Sequence, residues 1–186
     1  QYAKSFWECV KQNPSQNNEK IVWDASHDDL DTLRKIIMLA QLVGCLRAYL
    51  PTSNTEGTSG SNYGYEKPIV EDAERASHSF YNLARGHAVL DGMNYITKQD
   101  LDVIIDVAFS SGPRDRSELL KLLIKNKGIL STLEITENLM VTKSTALRKM
   151  EELKMLGLVK LITIPGTTKS HSGIKLQEEF EWLLEQ

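Results

Sequence analysis

The sequence predicts a mainly α-helical chain in two parts: a helical bundle, then a smaller unit of three helices closed by a β-hairpin. Three observations carry this. Apolar residues recur three or four apart from Leu30 to Leu46 and again from Ala73 to Leu90, the spacing of one helix face. From Ser117 the helical segments shorten, and the last gives way to LVKLITI and GIKLQ around the tip PGTTKSHS, which read as two strands of a hairpin. No apolar run approaches the roughly 20 residues that span a bilayer, and QYAKSFWECV does not resemble a signal sequence. A cytoplasmic location is therefore expected, with no membrane partner.

The elements follow in order. YAKSFWECVKQ reads as a short amphipathic helix with Phe6, Trp7 and Val10 on its apolar side, ended by Asn13 and Pro14. At that length it caps a larger body rather than standing alone. DDLDTLRKIIMLAQLVGCLRAYL is a long helix, with Leu30, Leu33, Ile37, Ala40, Val43 and Leu46 as its apolar stripe and Pro51 as its stop; its early acids complement the helix dipole. TSNTEGTSGSNYGYEKP has no periodicity and is rich in Gly, Ser, Thr and Asn, so residues 52–68 are expected to form a long exposed loop.

A second long helix, from about Asp72 to Leu90, aligns Ala73, Ala76, Phe80, Leu83, His87 and Leu90 and ends at Gly92, since glycine accepts a positive φ. Thr97 is suited to cap a third helix, with Asp100 at the capping-box position and Leu101, Ile104, Ile105, Ala108 and Phe109 as its buried face. SSGPRDR breaks the pattern. The domains expected are 1–112, helical, and 113–186.

In the second part, Leu119, Leu120, Leu122, Leu123 and Ile124 mark a helix closed by Gly128, and ILS a short extended step. The next helix buries Ile135 and Leu139, and Met140 and Val141 form a turn. Thr142 caps a final helix that buries Ala146, Met150 and Leu153 and ends at Gly157. Helix, helix, turn, helix, hairpin is the order of a winged helix-turn-helix.

The net charge of −3 hides an asymmetry. Residues 1–113 carry 10 Lys and Arg against 15 Asp and Glu; residues 114–175 carry 12 against 6; residues 176–186 carry 0 against 4. A basic module inside an acidic chain suggests a polyanion partner for that module. With Ala146, Met150 and Leu153 inward, the helical turn places Ser144, Thr145, Arg148 and Lys149 outward near the helix start. Recognition helices set such residues against base edges, where Arg pairs with guanine and a Thr methyl packs on thymine. Lys143 on this helix and Lys169, His171 and Lys175 in the wing are expected on phosphate. Docking of a protein is the alternative, because Glu151 and Glu152 also lie on the outer part of this helix.

LEITENLMVTKSTALRKMEELKMLGLVK closely resembles the winged helices of MarR-type and related bacterial and archaeal regulators. The preceding EDAERASHSFYNLARGHAVLDGMNYITKQDLDVIIDVAFSS resembles the helical lid of AAA+ ATPases of the MoxR and minichromosome maintenance helicase type, through Arg75 and Ala76, LARGHAVLDG and YITKQDL. That resemblance implies the double-stranded DNA-binding C-terminal region of an AAA+-like, DNA-dependent ATPase or helicase-related protein. It makes Arg75 the candidate sensor-2 arginine that reaches a nucleotide γ-phosphate; an ion pair with Glu71, four residues earlier, is the other reading. The chain lacks a GxxxxGK[ST] loop and a Walker B strand, so it should not itself cradle phosphates or hydrolyse ATP. ATP and Mg²⁺ enter only through an upstream ATPase domain. Gln1 stands where a start Met would, and a fragment or processed chain is expected. The second functional reading is a free-standing winged-helix transcription regulator with a helical dimerisation or sensing domain. The partners expected are double-stranded DNA and either a second copy of the chain or an upstream ATPase domain.

No catalytic or metal centre is expected. Cys9 and Cys45 lack the pairwise spacing of a zinc site, and His27, His78, His87 and His171 are scattered. His87 reads as a satisfied, half-buried histidine of an alanine-rich helix. There is no Gly-x-Ser-x-Gly elbow, and the carboxylates fall mostly on solvated helix faces, so enzyme activity is not expected.

Overall fold

The computed structural model describes residues 22–55, 62–165 and 170–185. The helix expected over residues 2–12, with Cys9, and the wing residue Lys169 lie outside them. The chain divides into two units, one of residues up to Gly44 with Asp72–Ser111, the other of Cys45–Glu71 with Gly112 onward.

The first unit is built on three helices: α1 (Leu30–Arg47), within which the division falls, α2 (Glu74–Leu90) and α3 (Asp100–Ser111). Asp29 starts α1 by accepting from the Thr32 N–H and hydroxyl at 3.0 and 2.7 Å, a cap of the kind short polar side chains supply. The stripe expected for α1 is met only in its C-terminal half, at Ala40, Val43 and Leu46. Ile36, Leu39, Ala40, Leu42, Val43 and Leu46 are buried, whereas Leu30 and Ile37 are 69% and 50% exposed. The helix is apolar on more than one side, so a three-or-four spacing alone does not choose among its faces.

In α2 the buried residues are Phe80, Ala84 and Ala88, while His87 is half-buried and Leu90 exposed. The two alanines leave room for α3, which packs against α2. Gly92 (φ +80°) follows the end of α2, as expected. The Asp100 carboxylate accepts from the Thr97 N–H at 2.7 Å and hydroxyl at 3.0 Å, so the expected capping contact forms at the entry to α3. Asp28, buried, accepts from the Ile96 N–H and the Tyr81 hydroxyl at 2.7 and 3.1 Å.

The second unit begins with a correction. Residues 52–68 are not one open loop: β1 (Thr52–Thr55) and β2 (Asn62–Tyr65) pair antiparallel, with Thr52 opposite Tyr65. Four-residue strands of Thr, Ser, Asn, Gly and Tyr carry too little hydrophobic alternation to register as strands in sequence. This stretch falls with residues 112 onward. Arg116, early in α4 (Arg114–Lys125), donates from one guanidinium nitrogen to the carbonyls of Leu46 and Ala48, both at 2.8 Å. Gly112 also lies against Leu46, where a Cβ would come within 3.2 Å of the leucine Cβ.

Then come β3 (Ile129–Ser131), α5 (Thr132–Leu139), α6 (Lys143–Met155), β4 (Val159–Ile164) and β5 (His171–Leu176), with the sheet order β3-β5-β4, all antiparallel. Leu119, Leu120, Leu123, Ile135, Met150 and Ile174 are fully buried between helices and sheet. A 3-10 helix, Glu178–Glu185, closes the unit with Phe180 and Leu183 buried. The fold is mainly α with a winged helix-turn-helix, as the sequence predicts. Among the described residues no helix is long and apolar enough to cross a membrane.

Candidate nucleic-acid interface

The helix-turn-helix is set by local chemistry at three points. Ser131 and Glu134 form a reciprocal capping box at the start of α5, and the two bonds to Ser131 hold the Glu134 carboxyl below its usual range. Met140 ends α5 in the left-handed region (φ 51°, ψ 43°) and is 93% exposed. Thr142 then caps α6, its hydroxyl accepting from the Thr145 N–H at 3.3 Å. Thr132 ties this motif to the wing: its buried hydroxyl donates to the Ser172 carbonyl of β5 at 2.7 Å and lies 3.5 Å from the Met150 sulfur of α6.

α6 buries Ala146, Met150 and Leu153, the side expected. Its outer residues divide by flank. Arg148 and Glu152, one turn apart, line a hollow of about 370 Å³ with Leu50, Thr52, Tyr65 and Arg116. Leu147 and Glu151 look instead toward β4, sharing a hollow with Leu161 and Ile162. Ser144 is exposed and Thr145 half-buried, with their hydroxyls 3.0 and 2.9 Å from the Thr142 hydroxyl. Arg148 is 63% exposed, its Nε 3.9 Å from Glu152. Glu152 also accepts from the Tyr65 hydroxyl at 3.2 Å. Burial and then the Glu152 charge push the Tyr65 phenol up to about 12.

Lys143 and His171 come together. Both line a hollow of about 320 Å³ with Thr132, Leu133, Thr136 and Ser172, where the start of α6 meets the tip end of the β4–β5 hairpin. Two other expected contacts are placed differently. Lys149 does not point outward: its side chain is 11% exposed and its ammonium lies 2.7 Å from Asp115 of α4, whose carboxyl is held below its usual range first by that hydrogen bond and then by the lysine charge. Lys175 lies 3.5 Å from Glu181 in the closing 3-10 helix, and Lys160, opposite it across the strands, lies 3.4 Å from Glu178. The acidic end of the chain thus answers the lysines of the sheet. Of the basic residues that make 114–175 positive, Arg114, Arg148, Lys149, Lys154, Lys160 and Lys175 face carboxylates. The positive face is narrower than the charge count implies.

Residues 115–175 match the model of a family described as an HTH domain. The match covers about a third of the chain and spans α4 to β5, the same elements that the fold assigns to the winged helix, and it supports DNA binding. Among curated proteins and solved structures nothing matches the chain.

In the first unit, Arg75 is exposed in the first turn of α2 and has no ion pair among the described residues. Glu71, its alternative partner by spacing, lies 3.4 Å from Arg47 instead. His87 is half-buried and bonded as expected, its Nδ1 2.8 Å from Asp100. That partner, and Asp91 beside it, were not legible as a group in the sequence. Cys45 is a free, half-buried thiol, and burial pushes its pKa up.

Proposed function

We propose that the chain binds double-stranded DNA through its winged helix, with the start of α6 entering the major groove. The observation that carries this reading is the exposed strip of Ser144 and Arg148 at the N-terminal half of α6, with Lys143 at the helix start sharing a hollow with His171 at the tip end of the wing hairpin. Arg148 is the base-reading residue. Ser144 and Thr145 approach the bases or the neighbouring phosphates, and Lys143, His171 and Lys169 hold the backbone, since phosphate contacts position and base contacts specify. Lys149 serves by fixing α6 against α4, and Lys175 by fixing the sheet to the closing helix.

The context proposed is the C-terminal region of an AAA+-like, DNA-dependent ATPase or helicase-related protein. It rests on the resemblance of residues 71–111 to the lids of such enzymes, with the exposed Arg75 as sensor-2 candidate. In this reading the chain is the non-enzymatic, DNA-binding part. A free-standing regulator would share the DNA contact and differ in what precedes it, so the reading frame upstream of Gln1 separates the two: a phosphate loop there supports the ATPase.

The test of DNA binding is fluorescence anisotropy of the full chain with a labelled duplex and the matching single strand. Tighter binding to duplex, weakened by Arg148→Ala, is expected. Equal binding to both, indifferent to Arg148, would overturn the major-groove reading.

A further inference from the structure

We propose that His87, Asp91 and Asp100 form a zinc-binding site that staples the end of α2 to the start of α3. The three residues lie within the first unit, so this proposal stands apart from the DNA reading. The His87 Nδ1 is 2.8 Å from Asp100 Oδ1 and 3.7 Å from Asp91 Oδ2, and one ligand atom from each residue lies within 4.8 Å of the others. Donors around a tetrahedral zinc, with bonds of about 2.0–2.2 Å, stand roughly 3.3 Å apart, so small side-chain movements suffice. His87 and Asp91 are one helical turn apart, which places both donors on one flank of α2, and Asp100 enters from the next helix.

Two further observations favour a cation over a chance cluster. Asp100 is 1% exposed, and neither Asp100 nor Asp91 has a Lys or Arg ion-pair partner among the described residues. Buried carboxylates are normally paired or bind metal, and one imidazole faces two of them here. The second observation is orientation. The far oxygen of Asp100 accepts from the Thr97 N–H and hydroxyl at 2.7 and 3.0 Å, which fixes the carboxylate as outer partners fix metal ligands. A hollow of about 620 Å³, lined by Asp91, Met93, Thr97, Lys98, Gln99 and Asp100, lies against the two carboxylates and provides an entry path from their side. One nitrogen and two carboxylate oxygens with an open position suit Zn²⁺.

The experiment is calorimetric titration of the metal-stripped full chain with ZnCl2, paired with thermal unfolding and a Co²⁺ absorption spectrum. The expected result is one saturable site of micromolar or better affinity, with Tm raised by roughly 5–10 °C at a hundredfold excess over Kd. Asp91→Asn and His87→Ala should each weaken binding by roughly tenfold or more. Asp91 is half exposed and pairs only with His87 among the described residues, so Asp91→Asn keeps the fold and isolates the ligand loss. The Co²⁺ form should show ligand-field bands without thiolate charge transfer. Absence of saturable zinc binding, binding undiminished in both variants, or a thiolate band assigning the metal to cysteine would each overturn the proposal.

Discussion

Lys149 and Arg148 are neighbours in sequence but differently placed, one nearly buried against Asp115 and the other exposed, so under the proposed DNA contact substituting each to alanine separates folding from recognition. Lys149 is 11% exposed and sits 2.7 Å from Asp115, whose own side chain is 71% exposed. An ion pair with one partner in water is screened and contributes about 0.2–1 kcal/mol, to which the packed alkyl stem of the lysine adds a few tenths. Lys149→Ala should therefore cost about 1 kcal/mol of stability. Arg148 is 63% exposed and 3.9 Å from Glu152, so its truncation leaves no cavity and should change stability by no more than about 0.5 kcal/mol. On DNA the order reverses. Arg148→Ala should lose roughly 1–3 kcal/mol of preference for its best site, or about 5- to 150-fold in relative affinity, while Lys149→Ala loses little. Urea denaturation gives the stabilities, and anisotropy with a selected duplex and a scrambled one gives the discrimination. A double cycle with Asp115→Ala should return a coupling within the range of exposed pairs. If Lys149→Ala costs as much discrimination as Arg148→Ala at unchanged stability, Lys149 leaves Asp115 to meet DNA and the division of duties is wrong.

Ser131→Ala should remove the capping box of α5 at a cost of about 0.5–2 kcal/mol, seen first as faster amide exchange in that helix; unchanged protection would count against the cap. The same box makes a pH prediction. Glu134 has its folded pKa depressed from an ordinary 4.5, so its contribution is present above about pH 4.5 and is lost as pH falls through the lower folded value. In Ser131→Ala that part of the acid dependence should shrink without vanishing, because the Ser131 backbone N–H, the larger cause of the shift, still donates to Glu134 while the hydroxyl is lost. Gly173→Ala would set a Cβ 2.5 Å from the Ile164 side chain and 2.7 Å from the Leu130 carbonyl, so roughly 1–3 kcal/mol should be lost by overpacking; a neutral result by thermal unfolding would mean that the three strands are less closely seated. Tyr65→Phe removes the hydrogen bond to Glu152 and should cost about 0.5–1.5 kcal/mol, with loss of the phenol titration near 12 as the spectroscopic check.

The winged helix was legible because its local rules agree with its packing. Thr142 is a good cap, Ala146, Met150 and Leu153 mark a single buried side, and two alternating strands flank a turn. Ala40, Val43 and Leu46 of the α1 stripe are buried, but Leu30 and Ile37 fit the same period and are exposed, because periodicity cannot say which side meets a neighbour. The β1–β2 hairpin was missed because pairing of short polar strands depends on their partner, and the partner is not in the pattern. Near the start of α6, helical geometry put Ser144 and Arg148 on the outer side, and both are exposed. It did not foresee that the stem of Lys149 turns toward an acid 34 positions away in sequence, and the charge count did not foresee that Glu181 of the acidic end lies beside Lys175 in β5. The His87, Asp91 and Asp100 group joins two helices across a turn, so no single-helix spacing could bring it into view.

The most direct test of the central claim is the salt dependence of duplex DNA binding by the full chain. Each phosphate contact releases counterions and contributes about −0.9 to the slope of log affinity against log salt concentration. With Lys143, Arg148 and His171 near the groove and part of the basic charge already paired, the account predicts binding at low salt with a slope of roughly −3 to −5. No binding at about 50 mM salt, or an affinity indifferent to salt, would contradict it.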